Sequence, residues 1–231
     1  MRMRRKKHLQ ERLDAVSDYI LKVDTSVLDS RECLKFPCFF NFEEIFNNTN
    51  SIHIEIGCGK GTFVVNKSIE NKNVNFFAVE MLENVVVQAA EKAKKLGLNN
   101  VKFLNIGADY LLRYFPLESV DAIYLNFSPP YMQDRYEGRR LTNSNLVKAY
   151  KHILKKSGFI YQKTDDKDFF DYSFNSFSIQ GFKVVDLSNK GIENDVVTEY
   201  ESKFLALNKK IYKLKAFLWK KYKILHCFYL N

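Results

Sequence analysis

The residues best suited to chemistry close a short β-rich run at 52–56 and continue into a glycine loop, in the stretch Glu55-Ile56-Gly57-Cys58-Gly59-Lys60-Gly61. Glycines at the end of a strand let the backbone turn sharply and come close to a ligand, and the N-terminus of a following helix favours negative groups. The spacing is G-x-G-x-G. It departs from the G-x-G-x-x-G that sets a pyrophosphate over the loop in dinucleotide-binding enzymes. A second β-rich run at 75–79 leads into Glu80, nineteen residues after Gly61. A carboxylate there can take both hydroxyls of a ribose. Glu55 borders the loop, where it either faces the ligand or accepts hydrogen bonds from loop backbone. Together these residues call for a cofactor built on a nucleoside.

Positioning them takes a sheet with helices on both faces. Short β-rich runs at 52–56, 75–79, 101–105, 122–127 and 159–163 alternate with helical patterns at 62–69, 84–96, 110–115, 144–154 and 168–177. That alternation predicts βαβ crossovers and an α/β fold with a doubly wound, mostly parallel sheet. Later runs at 182–186 and 210–216 would close its far edge. Leu9, Leu13, Val16 and Ile20 recur at helical spacing and predict an amphipathic N-terminal helix. No internal repeat and no Pro- or Gly-rich linker interrupts the chain. Residues 1–231 therefore read as a single domain, with 1–45 a basic N-terminal extension belonging to it.

The 231 residues, 46% hydrophobic and 27% charged, suffice for one packed core and exclude a mainly disordered chain. No run approaches the roughly 18 consecutive apolar residues of a membrane span, so a cytoplasmic protein without membrane contact is expected. Cys33, Cys38, Cys58 and Cys227 show no C-x-x-C spacing. Neither a metal site nor a disulfide framework is expected, and Cys58 reads as a small filler beside the loop. The net charge of +9 is concentrated at the two ends: residues 1–12 hold six Arg or Lys against one acid, and 202–231 hold eight Lys and no acid. Basic ends on a mildly acidic body fit a polyanionic partner, nucleic acid first. The lysine- and aromatic-rich stretch at 217–225 reads either as part of that surface or as a packed tail.

An acid, then glycines, then a strand-terminal acid resembles the class I methyltransferases that bind S-adenosylmethionine. From residue 124 onward the likeness narrows. Tyr124-Leu125-Asn126-Phe127-Ser128, Arg139-Arg140-Leu141-Thr142, Lys163-Thr164-Asp165 and Thr198-Glu199-Tyr200-Glu201 resemble the bacterial tRNA (guanine-N7)-methyltransferases, which methylate the variable-loop guanine. The likeness runs from about residue 52 to 212. It implies a Rossmann-like fold and S-adenosylmethionine as cofactor, held by Glu55, Gly57, Gly59, Gly61, Glu80, Gly107 and Ala108. It also implies a tRNA partner, with guanine or RNA contacts at Gln133, Asp165, Thr198, Glu199, Tyr200 and Glu201. Arg135, Arg139 and Arg140 suit phosphates, because arginine contacts can be bidentate. A monomer or weak homodimer is expected.

The chain departs from the family pattern after the fourth strand. Where the family reads S-D-P-W-P-K-K-R-H, this sequence reads Ser128-Pro129-Pro130-Tyr131-Met132-Gln133-Asp134-Arg135-Tyr136. The position of the aspartate taken as catalytic is Pro129, and that of a substrate-contacting lysine is Gln133. After the third strand the usual acid-alanine pair is Gly107-Ala108, with Asp109 next in line for the adenine-side contact. Guanine N7 carries a lone pair and no proton, so its methylation needs alignment rather than a general base. Asp165 and Glu201 are then the acids left to hold the guanine edge. Two other readings follow from the same residues. Pro129 and Gln133 motivate a catalytically impaired paralogue that binds S-adenosylmethionine or tRNA without turnover. The glycine loop and Glu80 alone motivate an NAD-dependent oxidoreductase, which the loop spacing disfavours. Asp165 has a second possible role as a helix N-cap, and 198–201 as a polar strand edge or helix start.

Overall fold

Strands covered on both faces are buried along their length, and β1 (Ser51–Ile56) and β2 (Val74–Val79) are of this kind, although β1 carries His53 and Glu55 between its isoleucines. The computed structural model describes residues 7–26, 32–189, 196 and 198–218. With β3 (Val101–Leu104), β4 (Val120–Asn126) and β5 (Leu154–Thr164), these strands form a parallel sheet. β7 (Tyr212–Leu218) is antiparallel and lies between β5 and β6 (Phe182–Asp186), giving the order β3-β2-β1-β4-β5-β7-β6.

Two apolar layers sandwich this sheet. On one face α1 (Leu9–Ala15), α3 (Thr62–Glu70) and α4 (Glu83–Lys95) pack with Phe76, Ala78, Val101 and Phe103. On the other, α2 (Phe42–Phe46), α5 (Leu111–Tyr114), α6 (Ser144–Ile153) and α7 (Lys167–Ile179) cover Ile54, Phe77, Ile123 and Ile160. The doubly wound α/β expectation is met, with most elements within two residues of their predicted positions.

Of three differences from the expected elements, two have a cause in the pairing of the sheet. The N-terminal helix stops at Ala15 instead of reaching Ile20, because the following residues pair with the sheet edge. Leu21 N donates to Phe103 O at 3.0 Å and Phe103 N to Tyr19 O at 2.9 Å, which satisfies the exposed side of β3. β5 begins at Leu154, directly after α6, and its early start is fixed by Lys155 pairing with Asp121 of β4 at 2.9 Å. The 110–115 helix is split into a 3-10 turn, Ala108–Tyr110, and α5. The N-terminal extension is tied down by Arg113, whose guanidinium donates to the Asp24 carboxylate and the Phe36 carbonyl, both at 2.6 Å. The basic residues 1–6, Cys227 and most of the 217–225 stretch lie outside the described residues. Among those described, no helix is long and apolar enough to cross a membrane.

The fold places the site where the winding of the sheet reverses. β1 and β4 are neighbours, yet their crossovers lead to opposite sides, so the loops after them diverge and leave a crevice. Gly61 sits at the back of that crevice with φ +78, and a Cβ there would lie 2.6 Å from Ala89 Cβ and 3.1 Å from its Cα. Gly59 has φ +55 but no atom within 4 Å of its would-be Cβ. Urea denaturation is therefore expected to show Gly61→Ala losing about 2–4 kcal/mol, from strain and overpacking together, and Gly59→Ala about 1–2 kcal/mol, from strain alone.

Candidate active site

The glycine loop is strapped to the neighbouring strand by its own backbone. Gly57 N and Cys58 N both donate to Val79 O, at 2.8 and 3.0 Å, and Gly61 N closes the turn onto Cys58 O at 2.9 Å. Gly57, Gly59 and Gly61 all have positive φ. The strand-end acid completes the arrangement: Glu80 accepts Gly59 N at 3.2 Å and Leu82 N at 3.0 Å. Loop and acid thus meet, as their spacing requires. Gly107 opens the 3-10 turn on the far side, Ala108 is buried, and Asp109 is exposed with its carboxylate folded back against Gly107. Cys58 is buried and desolvation pushes its thiol pKa up, in keeping with a filler role.

Beside the loop lies a buried polar group shared by β1 and β4. Asn126 Nδ2 donates to Glu55 Oε1 at 2.9 Å. Glu55 Oε2, Asn126 Oδ1 and Ser128 Oγ are buried without hydrogen-bond partners. Desolvation pushes the Glu55 pKa up to about 8, opposed in part by the Asn126 hydrogen bond. Asn75 Oδ1, Asn100 Oδ1, Arg113 Nε and Gln162 Oε1 are buried without partners as well; what sets Glu55, Asn126 and Ser128 apart is that they share the C-terminal ends of two adjacent parallel strands, where open α/β sheets seat their ligands.

The chain then leaves β4 through a strained turn. Phe127 and Tyr131 both have positive φ, at 50° and 44°. Pro129 is exposed and Pro130 half-buried between them. Gln133 is exposed and accepts Arg135 Nε at 2.9 Å, just before the 3-10 segment Asp134–Arg139. Arg135 and Arg139 lie over Tyr136, 4.7 and 4.8 Å from its centroid, with both side chains at the surface. Arg140 differs: its guanidinium faces the carbonyls of Pro130, Tyr131 and Met132.

At the third corner, the segments around Asp165 and Glu201 meet through a lysine. Lys163, at the end of β5, is fully buried and donates to Glu201 Oε2 at 2.8 Å and to Val196 O at 3.0 Å. Lys213 of β7 reaches the other Glu201 oxygen at 3.2 Å. Both Glu201 oxygens are therefore engaged inside the protein, which sets this residue apart from the direct guanine contact expected of it. Thr198 caps α8 (Glu199–Ala206) by accepting Glu201 N at 3.0 Å, so 198–201 is a helix start rather than a strand edge. Tyr200 is 60% exposed, and its ring stacks on Phe127 at 6.4 Å. Asp165 pairs with Lys209 at 3.3 Å. It does not cap α7; Asp166 does, accepting Phe169 N at 2.8 Å. Sequence reasoning missed Lys163 and Asn126 as functional partners. Both stood within recognised segments, and what was not visible was that each is buried against an acid.

A family of putative methyltransferases matches residues 49–214. The chain is 42% identical over 179 residues to the tRNA (guanine-N(7)-)-methyltransferase of Bacillus licheniformis, covering 76% of this chain and 84% of that one. To the protein of the same name from Clostridioides difficile it is 36% identical over 220 residues, 94% and 98% of the two chains. The chain belongs to the tRNA (guanine-N7)-methyltransferase family. Among solved structures, the 16S rRNA methyltransferase KamB aligns with a TM-score of 0.58 at 13% identity, covering 78% of this chain and 93% of that one. A SAM dependent methyltransferase from Aquifex aeolicus aligns at 0.52 and 17% identity, covering 86% and 100%. These likenesses show a Rossmann-like methyltransferase fold.

Seen as a tRNA (guanine-N7)-methyltransferase family member, the chain uses much of its motif set to build the crevice. In 139–142, Arg139 points outward, Arg140 grips the preceding loop, Leu141 comes within 3.8 Å of a Cβ built on Gly57, and Thr142 bonds Ser173 at 2.8 Å. Two measurements check the energetics. The unfolded chain releases the Glu55 proton near pH 4.5, whereas the folded chain keeps it to about 8, so stability falls as pH rises between these values. Glu55→Gln removes that slope, and calorimetry is expected to show its Tm gain over wild type growing from pH 5 to pH 8.5. Breaking the buried pair by Glu201→Gln is expected to cost about 3–5 kcal/mol in urea denaturation. The double variant Lys163→Met/Glu201→Leu should lose clearly less than the sum of its singles.

Proposed function

We propose that this chain transfers the methyl group of S-adenosylmethionine to N7 of a guanine in tRNA. The observation that carries the reading is the buried group of Glu55, Asn126 and Ser128 at the β1/β4 reversal, next to the glycine loop. An uncharged carboxyl next to unpartnered polar oxygens is a poor core but a good seat for a cationic ligand, which would restore its charge. S-adenosylmethionine fits that seat: the backbone of Gly57, Gly59 and Gly61 approaches it, Glu55 takes its cationic amino acid end, and Glu80 its ribose hydroxyls. Gly107, Ala108 and Asp109 border the adenine.

When bound, the cofactor supplies an electrophilic methyl group on a sulfonium. Everything else falls to the chain as alignment. N7 has no proton to lose, so no side chain has to act as a base, and orientation alone can lower the barrier by about 7–11 kcal/mol in favourable cases. Asp165 accepts from the guanine N1 and N2 edge, and Thr198, Glu199 and Tyr200 border the base. Glu201 contributes by holding Lys163 and the start of α8 in place. Gln133, Arg135 and Arg139 face the RNA backbone. Pro129 has no acid to offer, and electrostatic stabilisation at that position is lost.

Incubating the protein with tRNA that lacks N7-methylguanosine and with methyl-labelled S-adenosylmethionine tests the reading. Label recovered in N7-methylguanosine after digestion is the expected result. Pro129→Asp should then raise kcat by up to ~10²–10³-fold over a measurable wild-type rate. Cofactor binding with turnover seen only in Pro129→Asp would instead identify a binding protein that has lost its chemistry.

A further inference from the structure

We infer that Arg140 is a positioning residue for this methyl transfer: it clamps the loop Pro130-Tyr131-Met132 that forms one lip of the guanine site. The inference rests on the function proposed above. Among three arginines within six residues, only Arg140 turns inward. Its Nε donates to Pro130 O at 3.1 Å and Tyr131 O at 3.2 Å, and its Nη2 to Tyr131 O at 3.0 Å and Met132 O at 3.4 Å. One planar fork therefore reads three successive carbonyls, which a lysine's single ammonium cannot do.

The guanidinium is held from behind as well. It lies 4.3 Å from the centroid of the Tyr172 ring on α7, and Tyr172 donates its hydroxyl to Glu137 Oε1 at 2.8 Å. Phe169, three residues earlier on α7, stacks on the Tyr172 ring at 6.5 Å between centroids. The 3-10 segment, the loop and α7 thus share one cation at their junction.

The loop needs this support for reasons in its own sequence. Pro129 and Pro130 have no backbone N–H, so the turn can donate little to its surroundings, and its carbonyls must be met by donors from elsewhere. Tyr131 has φ +44, a conformation that persists only when the surroundings over-determine it. Arg140 supplies both requirements. Its role is to keep residues 129–133 in the shape that faces the guanine, and its charge is directed at the protein instead of a phosphate.

The test compares Arg140→Lys with Arg140→Gln, using hydrogen exchange and steady-state kinetics on the full chain, with S-adenosylmethionine titration as a folding control. A clamp predicts that both variants lose kcat by about 10–10²-fold, the scale of a roughly 1 Å misplacement. Both should hold tRNA with a Kd and salt slope within twofold of wild type. The amides of Tyr136 and Arg140, which donate to Gln133 O and Glu137 O at 2.9 Å each, should exchange at least tenfold faster in both variants, and Tyr172→Leu should reproduce that increase. The exchange measurement uses neither tRNA nor cofactor, so it reports on the clamp even if methyl transfer to guanine were disproved. Retention of wild-type kcat and exchange by Arg140→Lys, with Arg140→Gln weakening tRNA binding and lowering the salt slope by about one, would overturn the clamp in favour of a phosphate contact.

Discussion

A lysine without solvent constrains this end of the molecule more than any other group. Lys163 closes β5 with no exposed surface, and a buried ammonium must find a counter-charge or destabilise the fold by several kcal/mol. Glu201 provides it at 2.8 Å, which obliges α8 to begin at the C-terminal edge of the sheet. Lys213 binds the same carboxylate, so the antiparallel strand β7 is tied to the same point. Since Glu201 turns inward, Tyr200 one residue before it turns out, and its ring reaches Phe127 at the end of β4. The exposed aromatic, the acid Asp165 two residues beyond Lys163, and the mouth of β4 are placed together by one ion pair.

The second constraint is a carboxyl that has too little polar company. Glu55 is as deeply buried as the apolar residues around it, and the Asn126 amide, the Val64 backbone N–H and the charge of Lys163 together do not offset its desolvation. A protein selected for stability alone would be better served by an apolar residue at that position. The group makes physical sense as part of a cation site, where ligand charge repays burial at the moment of binding. Its location strengthens the argument, because the β1/β4 reversal is where open α/β sheets present their crevice. On the proposed function, destabilisation of the free protein and affinity for a cationic cofactor would be two consequences of the same oxygen atoms.

Periodicity and spacing reveal what local chemistry dictates. β6 spans the predicted residues, and the strand-loop-acid unit from Glu55 to Glu80 folds as its glycines require. What stays hidden in the sequence is set by partners distant in the chain. Ile20 follows the helical spacing of Leu13 and Val16, yet the free edge of β3, more than eighty residues on, offers it a better pairing. Asp165 and Asp166 are equivalent as caps on paper, and the backbone at the end of β5 decides for the second. Glu201 reads as a surface acid in a polar tetrapeptide until Lys163, thirty-eight residues earlier, is seen to be buried against it. Three arginines within six residues look alike as phosphate ligands, and only the path of the loop before them separates Arg140 from Arg135 and Arg139.

On the proposed function, Pro129 at the position where the resembled family carries an aspartate is compatible with turnover, because of what the reaction demands. A nucleophile with a free lone pair needs a fixed partner at a fixed angle, and alignment is a property of the backbone as much as of any acid. Two successive prolines narrow the conformations open to the turn and lower the entropy lost in ordering it. Against this stands the left-handed Tyr131, which costs about 1–2 kcal/mol and which the arginine fork and the Tyr172 ring offset. The chain has given up charge at that position and kept shape. For a reaction limited by geometry, shape is the property whose loss would be fatal, and the remaining acid, Asp165, directly follows the last residue of β5 and lies outside the 129–133 loop.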